Sequence, residues 1–310
     1  MKLGFIKPNY PGEKRVALLP EDVNHFPDEI VIESGFGDYL EIKDIQYVEA
    51  GCTIAKRSWI FAHCEGIFAL KLIQPSDYPF LRANQTIIGW THPRDSGTAF
   101  YNDICKPLNI KVVDLDNIAP SVYCQDQKYL IPFIPRNFVA KNSFIAGYSA
   151  TVHALLTYGM ILNSQTKIAV LSSGNVAQGA FTAAVKLGGD VRMYYRKTMS
   201  EFKACIGDFD VIINGIEMDQ PNQHLIERRD LKQMKAGALI IDAAADAGNT
   251  IEGTHYTHIA EPIYEEAGLF FYEVNNAPSL FYRSASKAIS HAFSKEVYTH
   301  AIADYLKVIA

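Results

Sequence analysis

The chain has 310 residues, of which 48% are apolar and 20% are charged, and its formal net charge is −5. This length favours two domains, and the composition supports substantial cores and argues against disorder. The negative charge also argues against general binding to nucleic-acid phosphates.

Short apolar runs alternate with polar segments through the first part of the chain. This alternation predicts strands separated by helices or loops, an α/β arrangement. The runs predicted as strands are LGFI, VALL, IVI, GIFALKL, TIIGW and IKVVDL. From about Ser143 to Leu162, apolar residues recur every three or four positions, which predicts a long helix leading into a second domain.

The second half repeats the alternation and ends in a helical pattern. IAVL, VRMYY, DVIING and ALIIDAA predict the strands of a doubly wound parallel sheet. The last 30 residues carry one apolar stripe, made of Ala288, Ile289, Ala292, Phe293, Val297, Ile302 and Leu306. This helix could cap the second sheet or cross back to complete the first domain. Crossing back is favoured, because two segments of chain would then form the hinge between the domains.

These patterns predict two Rossmann-like domains with a cleft between them. The first spans residues 1–140 and is completed by the helix at 281–310, and the second spans 141–280. Five cysteines are scattered without a C-x-x-C pair, so neither a disulfide framework nor a metal site is expected. No signal-peptide core and no apolar run of about 18 residues is present, so we expect a cytoplasmic protein without a membrane partner.

The stretch KIAVLSSGNVAQGAF, residues 167–181, is a degenerate dinucleotide-binding loop. A G-x-G-x-x-G loop needs a tight turn, a close backbone approach to pyrophosphate and close helix packing. Gly174 meets the strictest requirement, whereas serine and alanine replace the first and third glycines. The predicted cofactor-binding residues here are Ser172, Gly174, Asn175, Val176 and Ala177. The alternative is a strand–turn–helix without a ligand.

The end of the second strand of this domain distinguishes the two nicotinamide dinucleotides. An acid that binds the ribose 2′-hydroxyl of NAD is expected roughly 20 residues after the loop, near Tyr195. Arg196 and Lys197 follow there instead, and two cations suit a 2′-phosphate. Although such a pair can be a solvated turn, loop and pair together predict NADP(H).

Three motifs in the first half contain functional side chains: GEKRVALLP with Arg15, ALKLIQP with Lys71, and TIIGWTHPR with His92. Each residue alone has a structural explanation, as a surface charge, a snorkelling lysine or a structural histidine. Together they resemble the family of alanine dehydrogenase, the transhydrogenase nucleotide-binding subunit and lysine-forming saccharopine dehydrogenase. IIDAAADAGNTIEGT and VNNAPSLFYRSAS in the second half resemble further motifs of this family, in the same order.

The resemblance implies roles for individual residues. Arg15 corresponds to the arginine that binds a keto-acid carboxylate, and Lys71 to the lysine beside the substrate carbonyl. His92 corresponds to the acid/base histidine, Asp246 to the aspartate near the nicotinamide, and Asn276 to the asparagine close by. Arg94 departs from the family pattern, and this additional cation either receives the second carboxylate of a larger product or is a plain surface arginine.

Within the family, the short chain, its KPNYPGEKRVALLPEDV opening and the Arg-Lys pair are most similar to the opine-type synthases. This likeness implies NADPH-dependent condensation of pyruvate with the side-chain amine of ornithine or lysine through an imine, and a homo-oligomer, either dimer or tetramer. An alanine dehydrogenase that uses ammonia is the nearest alternative. A non-catalytic dinucleotide-binding protein and a transhydrogenase component are weaker ones.

Overall fold

The computed structural model describes residues 1–94, 96–115, 119–218 and 223–309. The chain divides into two compact units, one made of Met1–Val139 and Tyr282–Ala310 and the other of Ala140–Phe281. Each unit is built on one mainly parallel sheet, which confirms the predicted α/β class. The predicted cleft stays a prediction. Within the described residues, no helix is long and apolar enough to cross a lipid bilayer.

The first unit contains an eight-stranded sheet in the order β3-β2-β1-β4-β5-β6-β7-β8. The six strands from β3 to β6 are parallel, and β7 and β8 form an antiparallel extension. Its elements up to residue 139 are β1 (Lys2–Phe5), β2 (Glu29–Glu33), α1 (Asp44–Glu49), β3 (Thr53–Ala55), α2 (Arg57–His63), β4 (Gly66–Ala69), β5 (Thr86–Gly89), α3 (Thr98–Phe100), β6 (Lys111–Asp114), β7 (Ser121–Cys124) and β8 (Gln127–Leu130).

The second unit contains a six-stranded sheet in the order β10-β9-β11-β12-β14-β13, parallel except for β13. The predicted strands IAVL, VRMYY, DVIING and ALIIDAA are β9 to β12. The elements of this unit are α4 (Ala140–Tyr158), β9 (Lys167–Leu171), α5 (Asn175–Lys186), β10 (Asp190–Tyr194), α6 (Met199–Ala204), β11 (Val211–Asn214), α7 (Arg228–Leu231), β12 (Leu239–Asp242), β13 (Ile263–Glu266) and β14 (Leu269–Tyr272).

Two glycines allow α4 and α5 to pack with their backbones in contact. A Cβ at Gly147 would lie 1.8 Å from the Val176 carbonyl oxygen, and one at Gly179 would lie 1.9 Å from the Phe144 carbonyl oxygen. Any side chain at either position would therefore separate the helices. The close packing fixes the beginning of α5, and with it the loop that precedes this helix.

The C-terminal segment returns to the first unit as two helices, α8 (Tyr282–Glu296) and α9 (Ile302–Lys307). The sequence pattern predicts one continuous helix, and this is wrong for residues 297–301. Ile302 N–H donates to the carboxylate of Asp28 at 2.6 Å, so the first residue of α9 is bound by the residue that directly precedes β2. Ile289 and Phe293 of the predicted stripe are fully buried in the core of this unit.

The VALL run is not a strand, which corrects the sequence-based prediction for residues 16–19. These residues are buried, but side chains instead of a neighbouring strand satisfy their backbone. Ser286 accepts a hydrogen bond from Val16 N–H at 3.0 Å, and Ser290 accepts one from Leu19 N–H at 2.8 Å. Polar positions of α8 therefore replace a strand ladder that a local pattern alone would favour.

Candidate active site

The predicted catalytic residues of the first unit lie beyond the carboxyl ends of neighbouring parallel strands. Lys71 follows β4 by two residues, and His92 follows β5 by three. Because β4 and β5 pair in parallel, these two segments leave the sheet at the same edge. Ligands bind at this edge in open α/β sheets.

Arg15 is fully buried and paired with Glu13, a residue that the sequence analysis did not identify. Its Nε donates to Glu13 Oε1 at 2.8 Å and its Nη2 donates to Oε2 at 2.6 Å, a bidentate geometry that holds the guanidinium in one plane. Burial by itself would raise the pKa of Glu13. The charges of Arg15 and Lys71 and the hydrogen bonds from Arg15 outweigh this effect and lower it, so Glu13 stays ionised.

The ring of Trp90 lies against both Arg15 and Lys71. The Arg15 Cζ lies 4.9 Å from the Trp90 ring centroid, and the Lys71 Nζ lies 5.6 Å from the same centroid. Both cations are thus attracted to the ring, which offsets part of their mutual repulsion. The ring is 2% exposed, and its Nε1 has no hydrogen-bond partner among the described residues. With Glu13 ionised, the two cations leave a net positive charge beside a buried ring, which suits an anion.

His92 occupies a left-handed backbone conformation, with φ of 44°. This conformation is unfavourable for a residue with a Cβ, by about 1 kcal/mol or more. Asp114, fully buried at the end of β6, accepts hydrogen bonds from Thr91 N–H at 3.2 Å and His92 N–H at 3.4 Å. Gly97 N–H donates to the His92 carbonyl at 2.9 Å. These bonds hold the histidine at the sheet edge in a strained backbone geometry.

Arg94 lies in the same loop and is exposed. Its guanidinium carbon is 5.6 Å from the ring centroid of Tyr123 on β7. The additional cation recognised in the sequence therefore packs against the antiparallel extension of the sheet.

The predicted dinucleotide loop of the second unit joins β9 to α5. Ser172 has φ of 107°, in the region where glycine is favoured, which explains why the family motif has glycine at this position. The serine Oγ accepts a hydrogen bond from Gly174 N–H at 3.0 Å and stabilises the turn. A Cβ on Gly174 would meet only that Oγ, at 3.4 Å, so the backbone there borders open space. The loop fits a pyrophosphate at the beginning of α5.

Arg196 and Lys197 follow the end of β10, which lies beside this loop. Ser172 N–H of the loop donates to the carbonyl of Tyr194, the last residue of β10, at 2.9 Å. Both side chains are exposed, and neither pairs with a carboxylate among the described residues. Thr198 Oγ1 accepts a hydrogen bond from Tyr195 N–H at 2.9 Å and closes a turn around the pair. The arrangement leaves two positive charges available to a phosphate.

Asp246 is buried, and hydrogen bonds occupy both of its carboxylate oxygens. Oδ2 accepts from Met218 N–H at 3.0 Å and Thr250 Oγ1 at 2.7 Å, and Oδ1 accepts from Asn249 Nδ2 at 2.9 Å. These three hydrogen bonds organise the loop after β12. Asn276 is also buried, and its carbonyl accepts from Ser279 N–H at 2.9 Å.

Two further acids are buried at neighbouring strands: Asp242 is the last residue of β12, and Glu273 directly follows β14. Asp242 accepts from Asn214 Nδ2 at 2.8 Å and Asp246 N–H at 3.0 Å. Neither Glu273 oxygen has a hydrogen-bond partner among the described residues. Burial, together with the negative charges of Asp242 and Asp246, outweighs the opposing effect of the nearby Thr254 hydroxyl and raises the pKa of Glu273 to about 9, so this acid is neutral near pH 7.

The structure thus brings Arg15, Lys71 and His92 together in one unit, and places the glycine loop, Arg196 and Lys197 together in the other. The roles of these residues stay predictions. Sequence reasoning missed Glu13, Trp90, Asp114 and Glu273. Glu13 and Trp90 lie inside the motifs quoted for Arg15 and His92, so those motifs contained a signal, whereas the residues that surround Asp114 and Glu273 depend on strand order.

Comparison with known sequences identifies the same family in both halves of the chain. Residues 5–121 match the family described as alanine dehydrogenase/PNT, N-terminal domain, and residues 182–308 match alanine dehydrogenase/PNT, C-terminal domain. Among solved structures, an L-alanine dehydrogenase superposes with a TM-score of 0.77 at 20% identity, covering 96% of this chain and 89% of that one. The two-domain fold is therefore that of this family.

Individual relatives are similar along their whole length. An N(5)-(carboxyethyl)ornithine synthase from Clostridium botulinum is 55% identical, over 100% of this chain and 98% of that protein. An enzyme of the same name from Lactococcus lactis is 48% identical, over 99% of both chains.

Proposed function

Because the chain belongs to the alanine dehydrogenase/PNT family, we propose that it is an NADPH-dependent oxidoreductase that condenses pyruvate with the side-chain amine of ornithine or lysine. With ornithine, the product is N5-(carboxyethyl)ornithine. The observation that carries the proposal is that Arg15 and Lys71 both lie against the ring of Trp90. Trp90 precedes His92 by two residues in the sequence. The two full-length relatives named carboxyethylornithine synthase support the choice of amine.

Arg15 and Lys71 are suited to a keto acid. We propose that the guanidinium, held in plane by Glu13, binds the pyruvate carboxylate. The Lys71 ammonium, close enough to Glu13 to lower the pKa of that carboxyl, then faces the keto oxygen and stabilises the negative charge that develops there. Fixed orientation by Glu13 and Trp90 keeps both groups in place before the substrate arrives.

His92 is the proposed acid/base group. The amine nitrogen adds to the keto carbon to give a carbinolamine, which loses water to give an imine. The amine must be neutral to attack, so the first step needs a proton removed from the side-chain ammonium beforehand, and the second needs a proton delivered to the departing hydroxyl. Imidazole performs both transfers near neutral pH. The hydrogen bonds from the His92 loop to Asp114 and within the loop restrict where the ring can lie.

The second unit is proposed to hold NADPH. The Ser172–Gly174 turn and the beginning of α5 fit the pyrophosphate, and Arg196 and Lys197 fit the 2′-phosphate. When bound, NADPH supplies the hydride that reduces the imine carbon. Asn276 and Asp246 belong to the loops proposed to border the nicotinamide, with Asp246 ordering its loop through three hydrogen bonds. Cytoplasmic location and homo-oligomer formation stay predictions.

The deciding experiment is NADPH oxidation with pyruvate and four amines: ammonia, alanine, ornithine and lysine. We expect turnover with ornithine, slower or similar turnover with lysine, and little with ammonia. Mass spectrometry identifies the product, since an opine-type product retains both carbon skeletons. Alanine as the sole product would show that the chain is an alanine dehydrogenase, and no turnover with any amine would favour a non-catalytic dinucleotide-binding protein.

A further inference from the structure

The segment between β1 and Arg15 contains a type II β-turn with the sequence YPGE, residues 10–13. Glu13 N–H donates to the Tyr10 carbonyl at 3.1 Å, and Gly12 has φ of 74°. Proline at the second position and glycine with positive φ at the third are the residue types that favour this turn. The turn therefore brings Tyr10 and Glu13, its first and last residues, close together.

Both ends of this turn lie near the ammonium of Lys71. The Lys71 Nζ is 5.9 Å from the ring centroid of Tyr10, which is half-buried. The charge of Lys71 also contributes to lowering the pKa of Glu13, at the other end of the turn. The same Nζ is 5.6 Å from the centroid of Trp90, a ring that Arg15 also contacts. Tyr10 thus gives the ammonium a second aromatic contact.

Charged hydrogen bonds anchor the chain just before Tyr10. Arg57 of α2 donates through Nη1 to the Lys7 carbonyl at 2.9 Å, and through Nε and Nη2 to the two oxygens of Asp77, each at 2.8 Å. Asp77 is 3% exposed and also accepts from Asn9 Nδ2 at 2.9 Å. The backbone is therefore fixed on both sides of Tyr10, by this network before it and by the turn after it.

We propose that Tyr10 is a positioning residue of the keto-acid site, whose ring holds the Lys71 ammonium where it faces the keto oxygen. The inference rests on the proposed function and adds a residue to its site. Arg15 and Lys71 repel each other as like charges, and attraction of the ammonium to two rings opposes its displacement. A charge that is already in place stabilises the developing oxyanion without reorganisation during the reaction. Because the ring is the group that acts, phenylalanine should replace Tyr10 and an aliphatic side chain should not.

The test assays Tyr10→Leu and Tyr10→Phe with NADPH, saturating ornithine and varied pyruvate. Tyr39→Leu is the matched control, because Tyr39 is a tyrosine of the same unit and is 48% exposed. We expect Tyr10→Leu to lower kcat about tenfold, the size of a lost cation–π contact in a partly buried site. The KM for pyruvate should change less than about twofold, since carboxylate binding is assigned to Arg15. Tyr10→Phe and the control should keep both parameters.

Several results would overturn this role and leave the proposed function standing. They are an unchanged kcat in Tyr10→Leu, a Tyr10→Phe variant as impaired as Tyr10→Leu, and a higher KM for pyruvate with kcat intact. A loss of both parameters with a lower melting temperature by circular dichroism would make Tyr10 structural and would also overturn it. Absence of ornithine turnover by the unmodified protein would instead reject the proposed function, and this inference with it.

Discussion

Replacing Glu273 with glutamine should change how the stability of the protein depends on pH. Glu273 is 1% exposed, and its carboxyl oxygens have no hydrogen-bond partner among the described residues. Burial, with Asp242 and Asp246 nearby, raises its pKa from 4.5 to about 9. The folded protein therefore keeps a proton on this group that the unfolded chain releases above pH 4.5. Stability falls as pH rises through this window, because the unfolded state binds fewer protons.

The magnitude follows from the width of the window. Each unit by which folding shifts the pKa changes the free energy of unfolding by about 1.4 kcal/mol. A shift from 4.5 to about 9 therefore lowers the free energy of unfolding by about 6 kcal/mol between the two ends of this pH window. Asp242, whose pKa is raised to about 6 mainly by burial, adds a slope of the same sign at the acidic end. Glutamine preserves the shape and the neutral state of Glu273 but has no proton to release. The Glu273→Gln variant should therefore gain stability relative to the unmodified protein as pH rises from 5 to 9.

The measurement is the free energy of unfolding from urea titrations at pH 5, 6, 7, 8 and 9, at constant ionic strength. Glu261→Gln is the matched control, because Glu261 is an exposed glutamate between β12 and β13 of the same unit. We expect the control to follow the unmodified protein and Glu273→Gln to diverge upward by several kcal/mol. Parallel profiles for Glu273→Gln and the unmodified protein would refute the reasoning, since they would mean that Glu273 ionises normally.

Three other predictions concern the proposed sites. Changing Arg196 and Lys197 together to alanine should weaken NADPH binding at least tenfold and NADH binding little, and the preference for NADPH should shrink with added salt; an unmodified protein that prefers NADH would contradict this. His92→Ala should lower kcat by about 100-fold or more with an unchanged Kd for NADPH, whereas intact turnover would make His92 structural. Trp59→Phe leaves Trp90 as the one tryptophan of the chain. Adding pyruvate to this variant should change the tryptophan fluorescence in a saturable way. If the fluorescence does not change, Trp90 is not part of the keto-acid site.

Strand positions show how far local pattern alone determined the fold. LGFI, TIIGW, IAVL and ALIIDAA are strands because each is a short apolar run bounded by turn residues. VALL has the same local appearance but is no strand, because serines of α8, about 270 residues away in the chain, satisfy its backbone. A pattern restricted to neighbours cannot contain that information.

For the site, sequence motifs determined which residues are candidates, and the tertiary structure decided what each one contacts. Arg15, Lys71 and His92 were recognisable because their motifs resemble those of the family in the same order, and the Ser172–Gly174 loop because a dinucleotide turn needs small residues. The bonding of Asp114 to the His92 loop and the proximity of Glu273 to Asp242 depend on strand order and register. Folding brings together residues that are distant in sequence and removes them from water, so only the folded chain reveals a neutral glutamate or two cations on one tryptophan ring.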